Sequence, residues 1–200
     1  MRPSRFALLP LLILAVSLPV QADKLTTTPE PGLWVSKSTT LVNGVDMQER
    51  LLEMRAAMLS QIPEAQREMM REMLGDTGQV GERQCITAAL ARSMTDPQTL
   101  LKDAEEQMPE CQLTASKVSA NSLEFTGQCN DPEGFSGQLN GSLEIRSSKE
   151  TRSTFNGDGH YMFPAGLIEP DAEAGNNPVK LMHSQVSRWV SSDCDDTSGL

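Results

Sequence analysis

The chain has 200 residues and a formal net charge of −10, from 27 acidic against 17 basic side chains. Such a surface repels phosphate backbones and anionic bilayers, so nucleic acid is excluded as an expected partner. The length suits one domain with its own core, and the 4% of aromatic residues makes that core a modest one.

Residues 1–22 read as a secretory signal peptide. Arg2 and Arg5 form a basic start, residues 6–18 an apolar stretch too short to span a bilayer, and Val20-Gln21-Ala22 a small-residue cleavage site. Residues 23–200 are then a single disulfide-stapled α+β domain, exported and with no integral membrane segment, since no later apolar run is long enough. Residues 23–31 are polar and rich in Pro and Thr, which suits an exposed lead. Residues 32–42 (GLWVSKSTTLV) read as a strand anchored by Trp34, and Asn43-Gly44 is a turn signal.

Between residues 45 and 74 the apolar period changes from 2 to 3.6. Met47, Leu51, Met54, Met58 and Ile62 fall within an arc of about 80° on a helix, and Asp46 is placed to cap its start. Pro63 must kink this helix or open a second one; Met69 and Met73 keep the phase of the first stripe, which favours one kinked helix over a helical hairpin. Gly75 is a stop signal.

Residues 81–87 form a short strand candidate carrying Cys85, and Asp96-Pro97 opens a helix with Leu101, Ala104 and Met108 on one side. Residues 111–129 read as a β-hairpin stapled by its own ends. A turn centred on Ala120 sets Cys111 opposite Cys129, Ala115 opposite Phe125 and Lys117 opposite Leu123. Residues 135–147 and 150–162 form a second hairpin, residues 163–178 a long Pro- and Gly-rich loop, and residues 179–190 the closing strand. Asn140-Gly141 within the second hairpin marks a bend or bulge.

The four cysteines favour two disulfides in an exported chain, and no CxxC pair is available for a zinc ribbon or a thioredoxin-like site. The hairpin selects Cys111 with Cys129, which leaves Cys85 with Cys194. On the chain-entropy model the long bridge contributes roughly 4–5 kcal/mol and the short one about 3. The sum is an α+β fold: a mostly antiparallel β-meander, either an open curved sheet or a small barrel, with a Met-rich helical insertion after the first strand. The Met/Leu stripe of residues 47–73 is the expected cover for the buried face of that sheet.

Pro31-Gly32-Leu33-Trp34, the Met-rich insertion, Cys85-Ile86-Thr87, the pair Cys111 and Cys129, and Arg188-Trp189 followed by Cys194 together resemble the exported bacterial proteins of domain-of-unknown-function family 3617. The resemblance implies a periplasmic location in a Gram-negative bacterium and a β-rich domain with two disulfides. It implies no activity.

Methionine is the compositional oddity, with Met47, Met54, Met58, Met69, Met70 and Met73 crowded into one segment. These residues read as adaptable core filler, as a surface for an apolar small molecule or a partner protein (Met47, Met54, Met58, Met69, Met73), or as soft ligands for Cu(I) (Met69, Met70, Met73). His160 and His183 sit on two different expected strands and could face each other. The acidic groups at Asp131 and Glu133 and at Asp193, Asp195 and Asp196 read as solvated carboxylates. No hydrolase elbow, zinc motif, P-loop or dinucleotide fingerprint is present, so no catalytic residue, metal or cofactor is expected. The expected function is that of a non-catalytic periplasmic binding or envelope-maintenance module holding its ligand between the Met-rich helix and the sheet. Copper binding and a purely structural role are the alternatives.

Overall fold

A computed structural model of the chain describes residues 24–74, 81–163 and 175–195, with all of their side chains except those of 71–74. The leader at 1–22, the stop at Gly75 and residues 164–174 of the expected loop lie outside the described residues.

The elements run β1 (Gly32–Val42), β2 (Val45–Asp46), α1 (Met47–Ser60), α2 (Glu64–Leu74), β3 (Glu82–Ile86), α3 (Ala88–Ser93), α4 (Pro97–Gln107), β4 (Cys111–Val118), β5 (Ser122–Asn130), β6 (Phe135–Ser147), β7 (Glu150–Phe163) and β8 (Gly175–Ser191). They build one eight-stranded antiparallel sheet in the order β2-β1-β8-β7-β6-β5-β4, with β3 beside β2 on the outer edge of β1. The meander is therefore an open curved sheet and not a closed barrel. Consecutive hairpins account for β4 to β8, and the last strand then pairs with the first.

Local chemistry sets most of the boundaries. Asn43 (φ 52°) and Gly44 (φ 85°) take the left-handed conformations that a two-residue hairpin requires between β1 and β2. Asp46 caps α1 by accepting from the Gln48 and Glu49 N–H groups. Asp96 caps α4 in the same way, with Pro97 at the first helical position. The Thr99 hydroxyl at 2.6 Å, helped by its backbone N–H, holds the Asp96 carboxyl below its usual range.

Pro63 divides the Met-rich segment into two helices, so the expected single kinked helix is not formed. Its ring denies Ile62 the helical conformation, and Arg67 bridges the break, its Nε donating to Ile62 O at 2.9 Å and its Nη2 to Ser60 O at 3.4 Å. The expected cover also changes. No residue of α1 is buried, and Leu51, Met58 and Met69 are 55%, 53% and 65% exposed. The buried face is covered instead by α3 and α4. Ala91 packs with Trp34 and Ile86, and Leu101 packs with Leu113 and Leu123. A third cluster, Val42 with Phe163 and Val179, fills the far corner.

The hairpin pairs Cys111 with Cys129 and Ala115 with Phe125, as its spacing requires. A bulge after Ala115 then moves Lys117 opposite Glu124 and Val118 opposite Leu123, which corrects the expected Lys117–Leu123 pair. The slip keeps Val118 on the apolar face and gives Lys117 a 3.1 Å ion pair with Glu124. Both expected disulfides are present, Cys111–Cys129 and Cys85–Cys194. Both ends of the loop expected over 163–178 are strand instead, because β7 continues to Phe163 and β8 begins at Gly175. Pro178 is tolerated there because β1 pairs with β8 only from Leu181 onward.

Residues 24–31 are a strap and not an exposed lead. Leu25 is 3% exposed and donates its N–H to Thr95 O, Thr26 reaches Ala120 O, and Glu30 reaches Ser148 O. The strap thus binds the α3–α4 turn and the tips of both hairpins. Its carbonyls at Glu30 and Pro31 accept from the indole N–H groups of Trp34 and Trp189.

Asn140-Gly141 makes no bulge: the β6–β7 register runs unbroken through it. Gly141 instead permits close approach, since a Cβ there would lie 2.6 Å from Phe125 Cζ and 2.5 Å from Thr154 O. Gly141→Val should therefore lower the unfolding free energy by about 1–3 kcal/mol or more in urea melts. A wild-type midpoint in this variant would show that Phe125 does not lie over the glycine.

Candidate functional site

One face of the sheet carries Leu113, Phe125, Leu139, Leu143, Ile145, Phe155 and His183, and the helices sit over it only at its two ends. Between those ends is a hollow of about 610 Å³. Helix α3 contributes Leu90 and its C-cap Met94 to the wall, and α4 contributes Leu100, Ala104 and its C-cap Met108. The floor is Phe125 of β5, Leu143 of β6, Ser153 and Phe155 of β7, and His183 and Gln185 of β8, with Gln84 of β3 at the rim.

The floor owes its composition to strand register. Phe125, Gly141, Phe155, His183 and Thr40 are successive partners across β5, β6, β7, β8 and β1. The Phe155 and His183 rings stack with centroids 4.7 Å apart. His183 Nδ1 and Thr40 Oγ1 are 2.8 Å apart, a bond either tautomer can make. Further along the same face, Ser36 and Ser187 hydroxyls bond each other at 2.7 Å. The middle of the concave face is thus polar but uncharged, and the α4 end is apolar.

The opposite face is solvated. Gln112, Thr114, Thr126, Gln128, Gln138 and Asn140 line a shallow depression of about 500 Å³ there. His160 lies on this side, paired with Ser136 and Pro178, so the two histidines stand on opposite faces and do not meet.

Among the described side chains, none of the predicted methionines lines the hollow. Met47 packs against the Val42 cluster, Met54 and Met58 are exposed on α1, Met69 is exposed and Met70 half-buried on α2, and the Met73 side chain lies outside the described residues. Met94 and Met108 line the hollow in their place. Of the floor residues, sequence pattern singles out His183 alone, because β7 and β8 carry no motif beyond that of strands. Their signal is polar residues at inward positions, Thr151 and Ser153 on β7 and Gln185 and Ser187 on β8, where a simple core strand would repeat apolar ones. Helix α3 is not among the expected elements, yet Thr87 before Ala88-Ala89-Leu90-Ala91 is a cap signature, and Thr87 accepts from the Leu90 N–H.

The family model described as Protein of unknown function (DUF3617) matches residues 29–194. The chain belongs to this family. No curated protein and no solved structure matches it. The DUF3617 match starts at Pro29, a fully buried residue of the strap, and ends at Cys194 in the long disulfide, so it encloses every strand of the sheet and both helices over the hollow. Among the described residues, no helix is long and apolar enough to cross a membrane.

Burial lowers the pKa of His183 from its ordinary value of 6.5. The folded protein resists a proton that the unfolded chain accepts. His183 therefore costs nothing above about pH 6.5 and destabilises progressively as pH falls from there through the folded pKa. His183→Phe keeps a ring against Phe155 and removes the proton site. Its urea midpoint should drop less than that of wild type between about pH 7 and about pH 5, and equal drops in both proteins would refute the assignment.

Proposed function

We propose that this protein is an exported, periplasmic binding module that serves the cell envelope without catalysis and holds an apolar or amphipathic ligand in the hollow between α3, α4 and the sheet. The basic start, short apolar stretch and small-residue site of residues 1–22 support export. Two disulfides and no free cysteine suit an oxidising compartment.

The observation that carries the binding role is the packing around the hollow. Protein interiors close at crystal-like density, yet here Leu90, Met94, Leu100, Met108, Phe125 and Phe155 are only partly buried around a space of about 610 Å³. That volume lies within the roughly 300–1,000 Å³ of small-molecule sites, as does the mix of apolar walls with a few polar groups. A domain that served only as scaffold would gain by collapsing α4 onto β6 and β7.

The test uses a neutral apolar dye, Nile red. Ala104→Trp and Ser153→Trp, one filling from the helix side and one from the floor, should each weaken dye binding at least about tenfold, a difference of about 1.4 kcal/mol. Met58→Glu and Met69→Glu on the exposed helices should leave it unchanged. The reverse pattern would move the site to the Met-rich helices, and absence of dye binding to the wild-type protein would end the proposal.

A further inference from the structure

We infer that the hollow sorts ligands by head-group charge, taking an amphiphile with an uncharged, hydrogen-bonding head and turning away carboxylate and phosphate heads. This rests on the hollow being a binding site, and it deepens that reading by naming the ligand class. Two observations support it.

The first is the charge of the lining. Nineteen of the described residues surround the space, and the only formal charge among these is Asp103; none of them is Lys or Arg. His183 shares this setting, since burial keeps its ring neutral more readily than in water. An anionic head entering here would give up its hydration, find no cation, and feel the Asp103 carboxylate and the protein's net charge of −10. Each of these terms has the same sign.

The second is the gradient along the hollow. Gln84, Ser153, His183 and Gln185 come from β3, β7 and β8, whereas Leu100, Ala104, Met108, Leu113 and Phe125 come from α4, β4 and β5. The side-chain amides of Gln84 and Gln185 bond to no described residue, so each can offer both donors and acceptors to a ligand. His183 uses Nδ1 on Thr40, which leaves Nε2 for the hollow. Hydroxyl or amide heads match such two-way groups, and a neutral head can be desolvated there at low cost. From β8 to β4 is four strand spacings, at most roughly 19 Å, which suits a chain of medium length laid across the floor.

Glyceryl monolaurate and dodecyl phosphate share a chain length and differ in head charge. Each is titrated below its micelle concentration, near pH 8, against Nile red bound to the full chain. Glyceryl monolaurate should displace the dye with an inhibition constant at least about tenfold below that of dodecyl phosphate. Gln185→Leu combined with His183→Phe should remove most of that preference, read as the ratio of the two inhibition constants within the variant so that any change in dye affinity cancels. Dodecyl phosphate competing as well as or better than the glyceride would overturn the charge rule and leave the cavity reading intact. So would failure of both to displace bound dye. An undiminished preference in the double variant would overturn the placement of the head at β7 and β8, and a wild-type protein that binds no dye would overturn both proposals.

Discussion

The ladder between β1 and β8 is the constraint on which the architecture depends. It runs from Leu33 opposite Ser191 to Val42 opposite Leu181 and joins the first long strand to the last. Trp34 stands opposite Trp189 on it, and the strap carbonyls at Glu30 and Pro31 accept from both indoles. Cys85–Cys194 ties the edge strand β3 to the segment just beyond β8 at the same end. Without this ladder β4 to β8 would be a meander with two open edges, and the strap, β3 and α3 would have no frame to pack on.

The ladder also explains where space is left. Trp34, Ile86 and Ala91 form a small core under α3 at one side, and Leu101, Leu113 and Leu123 form another under α4. With so few aromatic side chains, the helices cannot reach the strands between these cores. The intervening floor sets serine, threonine, histidine and glutamine beside Phe125, Leu143 and Phe155, the polar groups partly satisfied by each other across β1 and β8. Gly141 contributes from below, since its missing Cβ lets Phe125 lie along the floor without standing up into the hollow.

Much of this was legible from local pattern. The bounds of β1 and β6, the caps at Asp46 and Asp96 and both disulfide pairings follow from alternation, side-chain capping chemistry and loop closure, which act over a few residues or through a single bond. The failures share a different cause. The 47–73 stripe has the period of a buried helix face, but period reports amphipathic character and not which surface is met, and Leu51 and Met58 meet none. The burial of Leu25 depends on a partner far along the chain, Thr95, and so leaves no mark in neighbouring residues. The same holds for the site. Leu101, Ala104 and Met108 share a helix side by spacing alone, but that this side overhangs Ser153 and Gln185 is set by the order of strands.

Trp189 and its acceptor on Pro31 are 158 residues apart, and the ladder around them is just as non-local. Contacts of that span reward the chain only after a large loop has been closed, so they form late and slowly. A ribosome releasing this polypeptide would thus hold β1 with only β2 and β3 beside it until nearly all of the remainder had followed. The side of β1 that faces β8 is therefore closed only by the last strand to arrive.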